Sequence, residues 1–156
     1  MADLSLPTLL NAEAGVIAQF IDLLQKEQAA LQDGNTDALP AIADSKAPLT
    51  VHLNELAIQR TQALSIAGLP PDRTGIEVWL QRYPSPELSQ IWSKLHSAIA
   101  EARELNELNG KLNTLRMQYT NQALSALTVA QRQSGMLYGP DGQPSQFTGR
   151  RIIDSV

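Results

Sequence analysis

The sequence predicts an all-α fold: an up-down antiparallel bundle of three long helices and one short helix, with the longest helix C-terminal. Apolar residues make up 43% of the chain but aromatic residues only 4%, and an aliphatic composition of this kind favours helices packed on helices over a β-sandwich. Apolar residues also recur at steps of three and four, which is the helical period. The 156 residues are enough for one domain with a core. We expect residues 1–133 to form the bundle and residues 134–156 to form a flexible, Gly/Pro-rich tail.

The first helix is predicted from about Thr8 to Gln32. Gly34 follows it and suits a left-handed C-terminal cap, because glycine adopts positive φ at little cost. Asn35 or Thr36 can then cap the second helix through a side-chain oxygen. The apolar positions that carry the first helix are Leu9, Ala12, Val16, Phe20, Leu23, Leu24 and Leu31.

Two prolines complicate the second helix. Pro40 falls where a first helical turn tolerates it, whereas Pro48 removes a backbone donor further on and predicts a kink or a break. From Leu49 a regular apolar period carries a helix to about Ala67. The Gly-Leu-Pro-Pro stretch at residues 68–71 ends that helix.

The longest predicted helix begins after a short segment at residues 76–80, which we expect to form one or two helical turns. Ser85 is the expected N-cap and Pro86 the first helical residue. The helix is predicted to continue to about Gln131, with Gly110 weakening it by about 1 kcal/mol relative to alanine. Its apolar positions alternate at steps of three and four: Ile91, Leu95, Ala98, Ala102, Leu105, Leu108, Leu112, Leu115 and Tyr119.

Composition and charge exclude several functions. The net charge is −4, and neither half of the chain carries the strong basic field that nucleic-acid binding needs. The absence of cysteine excludes disulfides and thiolate metal sites. The first residues have no basic segment followed by an apolar run, and no apolar run approaches the roughly 20 residues that span a bilayer. We therefore expect a cytoplasmic protein without membrane insertion.

No residue pattern predicts catalysis, a cofactor or a metal site. His52 and Glu55 share one helix face, but a bundle metal site needs a second such pair and further carboxylates, so both are expected to be solvated. No serine lies in a Gly-x-Ser-x-Gly context, and no lysine follows a glycine-rich loop. Trp79 and Trp92 are expected to pack the short segment onto the final helix rather than to bind a ligand.

The surplus length of the final helix is the feature that points to protein binding. A helix of nearly 50 residues cannot be covered fully by partners of about half that length, so part of its apolar stripe should be exposed. That stripe could support homodimerisation or the capture of another protein's helix, and the two uses remain open. Asn106, Asn109 and Asn113 lie on one side of the same helix. They are either solvated or set the register with a partner helix.

Four sequence blocks resemble the FlgN family of flagellar export chaperones: LNELNG at residues 105–110, NQAL at 121–124, LYGPDGQ at 137–143 and GRRI at 149–152. Their order and spacing are similar to those of the family over roughly residues 92–153. LYGPDGQ is the most specific block. Residues 1–85 resemble the family only in helical character, length and composition.

The resemblance implies a cytoplasmic chaperone that binds the hook–filament junction proteins FlgK and FlgL, prevents their premature assembly and delivers them to the type III export gate. It also implies that Tyr138 docks on the export gate component FlhA, although this side chain could instead fold back on its own bundle. A self-associating structural coiled coil is the alternative. The residues expected to contact the client are Leu105, Leu108, Asn109, Leu112, Asn113, Leu115 and Tyr119.

Overall fold

A computed structural model describes residues 5–137, with side chains described as far as residue 133. Within these bounds the fold is all-α, as predicted, with three long helices and one short helix and no strand. The helices are α1 (Leu6–Asp33), α2 (Leu39–Ile66), α3 (Arg73–Arg82) and α4 (Pro86–Leu137). A 3₁₀ turn, Thr36–Ala38, precedes α2. Most of the predicted tail, residues 138–156, lies outside the described residues.

The connection between α1 and α2 is partly as predicted. Gly34 adopts φ 70° and ends α1 as a left-handed cap, the conformation that glycine takes without steric cost. The expected side-chain cap on the second helix is not present. Asn35 makes no side-chain capping bond and instead precedes the 3₁₀ turn, so the backbone of that turn leads directly into α2.

The second helix is longer than predicted, because it runs unbroken through Pro48. The predicted break is therefore wrong, and Pro40 lies in the first turn as expected. Pro48 is exposed, so water can satisfy the carbonyl that loses its partner. Packing of the α2 apolar face on α1 outweighs this local defect. Leu56 and Leu64 are the buried residues on that face.

The short helix α3 has ten residues, more than the one or two turns predicted. Asp72 caps it, with its side chain accepting a bond from the Gly75 amide at 3.4 Å. Trp79 packs partly buried against the core, as does Trp92 of α4. Both tryptophans therefore contact the core, and the expectation that they pack the short helix onto α4 stays a prediction.

The last helix starts as predicted and has 52 residues. The Ser85 hydroxyl accepts a bond from the Leu88 amide at 3.3 Å, the expected N-cap contact. The chain divides into two compact units, residues 1–113 and residues 114–156. The predicted domain boundary at residues 133/134 stays a prediction, and the α4 backbone continues past it to Leu137.

The core lies in the first unit and is almost entirely aliphatic. The Glu13 carboxylate of α1 is buried there, and Arg60 of α2 donates to both of its oxygens. Burial raises the pKa of the Glu13 carboxyl, and the Arg60 guanidinium offsets this effect only in part. The largest fully buried apolar side chains are Leu9, Leu10, Leu24, Leu64, Ile76 and Leu95.

Candidate functional site

The side chains of α4 that face the core change after Leu105, where the next buried residue lies four positions further on. Leu95 and Ala102 are buried, and Leu105 packs partly buried against the core. The next buried position is Asn109, which is 2% exposed, whereas Leu108 is 44% exposed. Successive residues of a helix are rotated by about 100°, so a step of four from Leu105 keeps the core direction and a step of three does not. Leu108 therefore lies to one side of the core direction and is partly exposed.

Asn109 is held inside the bundle by its side-chain amide nitrogen. This nitrogen donates to the Leu24 carbonyl oxygen of α1 at 2.8 Å and to Glu27 Oε1 at 3.0 Å. Lys46 of α2 donates to both Glu27 oxygens, at 3.1 and 2.9 Å. One polar network thus connects α1, α2 and α4. These contacts cover the Asn109 side chain. The expectation that Asn109 contacts a client is not tested and stays a prediction.

A cleft of about 360 Å³ opens beside this network, lined by residues of α1, α2 and α4. The asparagines Asn106, Asn109 and Asn113 line it together with the Glu27–Lys46 pair. The three asparagines therefore do share one side of the helix, as their spacing predicted. Sequence reasoning left open whether this side is solvated or contacts a partner. The structure shows that Asn106 is exposed, Asn113 is half-buried and Asn109 is buried.

The remaining predicted contact residues are accessible to different degrees. Leu112, in the first unit, is half-buried. In the second unit, Leu115 is 49% exposed and Tyr119 is 69% exposed. Tyr138, predicted to dock on the export gate, lies outside the described residues.

Sequence reasoning missed four apolar side chains in the second unit that are as exposed as those it selected. Three of them, Met117, Leu124 and Leu127, follow one another at steps of seven and three and so share one side of the helix. This spacing is the signal that could have found them. A search limited to one continuous heptad-like stripe could not include them. The four residues are Met117, Leu124, Leu127 and Val129.

The structure also shows where the other residues considered in the sequence analysis lie. His52 and Glu55 are both exposed, as expected. Among the residues that the structure describes, no three His, Asp or Glu side chains lie where they could hold a metal ion. Over the same part of the chain, none of the helices combines the length and the apolar character that crossing a membrane requires.

A helical bundle whose longest helix exposes large apolar side chains is typical of a protein that binds other proteins through helix surfaces. Comparison with known proteins gives the family. The chain matches the FlgN protein family over residues 1–146 and belongs to it. This is a family of flagellar export chaperones and not of enzymes, and it binds flagellar export substrates.

The family match extends the resemblance read from the sequence blocks. Those blocks carried the similarity over roughly residues 92–153, and the match now includes the two N-terminal helices as well. No curated protein and no solved structure matches the chain.

Proposed function

We propose that this protein is a cytoplasmic chaperone for the hook–filament junction proteins FlgK and FlgL, which it keeps unassembled and delivers to the export gate. The observation that carries the proposal is the row of exposed apolar side chains in the second unit, from Leu115 to Val129. Exposed leucine, methionine and tyrosine side chains on one helix are the usual means of holding an amphipathic client segment. Each such side chain gains free energy when a client covers it.

The predicted contact residues take different parts in this proposal. Leu108, Leu112, Leu115 and Tyr119 supply apolar contacts, and Asn113 supplies a polar one. Leu105 and Asn109 pack α4 onto the rest of the first unit, so we assign them positioning roles. Their substitution would weaken client binding through the bundle rather than through a lost contact.

Docking on the export gate component FlhA is proposed for Tyr138. A tyrosine can fill a pocket and donate one hydrogen bond, which suits a weak, rapidly exchanging complex. Replacing Tyr138 with alanine should abolish FlhA binding while client affinity stays within twofold. Loss of both interactions together would contradict a separate docking role.

Calorimetric titration with the C-terminal segment of FlgK from the same source tests client binding. The wild-type chain should bind saturably, and the double variant Leu115→Ala/Tyr119→Ala should bind about tenfold or more weakly, as expected for truncated interface anchors. Ile58→Ala is the matched control, because Ile58 is an equally exposed apolar residue on α2. It should leave the affinity unchanged.

A different result would favour the self-associating alternative. Absence of binding, together with sedimentation of the wild-type chain as a stable dimer that Leu115→Ala/Tyr119→Ala dissociates, would show that the exposed residues serve homodimerisation. An equal loss of affinity in the Ile58→Ala control would place the client on α2 and overturn the assigned surface.

A further inference from the structure

The helix α2 carries apolar side chains on two opposite sides. Leu56 and Leu64 are buried on the side that faces the core. Val51 and Ile58 are 57% and 58% exposed, and because they are seven residues apart they share another side of the helix. Ile58 follows Leu56 by two positions, a rotation of about 200°, so this second side points away from the core. A helix that is apolar on both sides normally buries both.

Five exposed, uncharged residues form a continuous row along this second side. They follow one another at steps of four, three, four and three, the spacing with which one helix presents a row of side chains to another helix. The row is about 21 Å long at 1.5 Å per residue. We call it the outer row of α2, and its residues are Ala47, Val51, Asn54, Ile58 and Thr61.

The order of residue types in the outer row fits a second copy of this chain. Asn54 is central, the β-branched Val51 and Ile58 lie on either side of it, and the small Ala47 and Thr61 lie at the ends. When two identical helices pair antiparallel about a twofold axis, each residue meets the mirrored position of the other copy. Val51 of one copy then lies against Ile58 of the other, and the two Asn54 side chains meet at the axis.

The central asparagine is complementary to itself. Its carboxamide carries both donors and acceptors, so two Asn54 side chains at a twofold axis can each donate to the other. A single asparagine among apolar contact positions is also what fixes the register of paired helices. An unrelated helix would have to supply the same order of residues in reverse, whereas a second copy supplies it by symmetry.

The charges near the outer row permit this pairing with one exception. The basic residues of α2, Lys46 and Arg60, form ion pairs with glutamates of α1, and the exposed charged side chains of α2 are Asp44 and Glu55. Asp44 lies ten residues from Asn54, so two copies of it would be about 30 Å apart and screened. Glu55 is next to Asn54, so its two copies would approach each other and weaken the contact.

We propose that two copies of this chain associate through the outer row of α2, antiparallel about a twofold axis at Asn54. The row has five residues per copy, whereas an interface of standard size has about 20–30 on each side. The dimer is therefore weak and depends on concentration. All of its contacts lie in the first unit and include none of the proposed client contacts, so this inference is independent of the proposed chaperone function.

Cysteine cross-linking of the full-length chain tests the register. The chain has no cysteine, so each variant carries one thiol, and a disulfide forms only where two Cβ atoms come within about 4.5 Å. Under mild oxidation with diamide, Asn54→Cys should cross-link to itself. Val51→Cys and Ile58→Cys should cross-link when mixed but not alone, because each lies about 10 Å along the helix from its own copy. Ile66→Cys, 89% exposed and outside the row, controls for random collision and should stay monomeric.

Analytical ultracentrifugation measures the association itself. The average mass of the wild-type chain should rise from monomer toward dimer between about 5 and about 500 µM. Ile58→Asp places a carboxylate in the row and should weaken the dimer at least tenfold. Ile66→Asp is the matched control, the same substitution at a more exposed residue of α2, and it should leave the dissociation constant within twofold. Both positions are exposed, so circular dichroism should show an unchanged fold.

The charge of Glu55 gives a variant with the opposite effect. Glu55→Gln removes the repulsion at the axis and should tighten the dimer about two- to fivefold. Added salt should tighten the wild-type dimer for the same reason, since it screens the two carboxylates, and should affect Glu55→Gln less. A Glu55→Gln dimer weaker than the wild type would contradict the antiparallel register.

The outcomes distinguish this inference from the proposed function. A wild-type chain that stays monomeric, with Asn54→Cys cross-linking no faster than Ile66→Cys, overturns the dimer whether or not the FlgK segment binds. A dimer that persists in Ile58→Asp and dissociates in Leu115→Ala/Tyr119→Ala also overturns it and places self-association on α4. The predicted cross-links without binding of the FlgK segment would support the dimer and show that the proposed client is wrong.

Discussion

At the scale of single residues, Gly75 shows how one missing side chain permits a close approach. It lies in the first turn of α3, and a Cβ built on it would stand 1.8 Å from the Pro70 carbonyl oxygen. Because that oxygen belongs to the backbone, a methyl group could be accommodated only if the loop before α3 moved. Leu69, which is buried in the core, would have to move with it.

Gly75→Ala should therefore lower the free energy of unfolding by about 1–3 kcal/mol, the usual cost of overpacking, despite the better helix propensity of alanine. Urea denaturation followed by circular dichroism measures the change. Gly110→Ala is the control, since its Cβ would contact nothing, and it should stabilise the chain by about 1 kcal/mol. Equal effects at the two positions would contradict the steric argument.

The buried Glu13 predicts a pH-dependent stability. Its folded pKa is raised above the ordinary value of 4.5, so between these two pKa values the folded state binds more protons than the unfolded state. The contribution of this group to the unfolding free energy is thus fully present below pH 4.5 and is lost as the pH rises through the folded pKa.

Glu13→Gln removes this titration and retains a group of similar shape. The variant's unfolding free energy minus that of the wild type should increase as the pH rises above about 4.5, by up to about 1.4 kcal/mol per pH unit, and then level off above the folded pKa. Urea titrations at constant ionic strength from pH 4 to 7 measure this difference. A difference that falls with rising pH would show that Arg60 lowers the Glu13 pKa instead.

At the scale of helices, α2 is continuous although Pro48 lies within it. Proline leaves the carbonyl of residue 44 without its helical donor. Pro48→Ala should therefore raise the free energy of unfolding by about 1–3 kcal/mol, less than the full helix propensity difference because proline also restricts the unfolded chain. Pro40→Ala is the matched control in the same helix. It should change stability by less than about 1 kcal/mol, because a first turn has no bond to lose. Thermal or urea unfolding of both variants measures the changes in stability. Equal changes in the two variants would contradict the argument.

The helix α4 shows where sequence patterning succeeds and where it stops. Its start at Ser85 and its continuity follow from local chemistry, and both were predicted. Which of its apolar residues face the core was left open by the sequence, and the structure packs the series from Ile91 to Leu105 against the core and then buries Asn109 in place of Leu108. A seven-residue repeat implies 3.5 residues per turn, whereas a straight helix has 3.6, so a leucine pattern and a bundle face drift apart along a long helix.

At the scale of the whole molecule, the two units differ in what they bury. Every fully buried side chain that the structure describes lies at or before Asn109, within the unit of residues 1–113. The described side chains of the second unit include none that is fully buried. Stability is therefore expected to reside in the first unit and client contacts largely in the second.

A chain that ends at Asn113 should accordingly fold and unfold cooperatively. Its urea m value should be close to that of the full chain, because m follows the surface exposed on unfolding, while its affinity for the FlgK segment should fall at least tenfold. Circular dichroism with urea, and calorimetry, measure the two properties. A truncated chain that is unfolded would show that residues beyond 113 belong to the folding unit.

Turns, caps and helix identity follow from short-range chemistry, so the sequence was sufficient for Gly34, Ser85, the all-α class and the family resemblance. Such local patterns do not show where packing between distant parts of the chain outweighs a local preference. Packing against α1 keeps α2 continuous through Pro48, and the Leu24 carbonyl with the Glu27 carboxylate draws Asn109 into the core. Contacts between helices set these features, because the free energy that outweighs a local preference comes from surfaces that meet only in the folded chain.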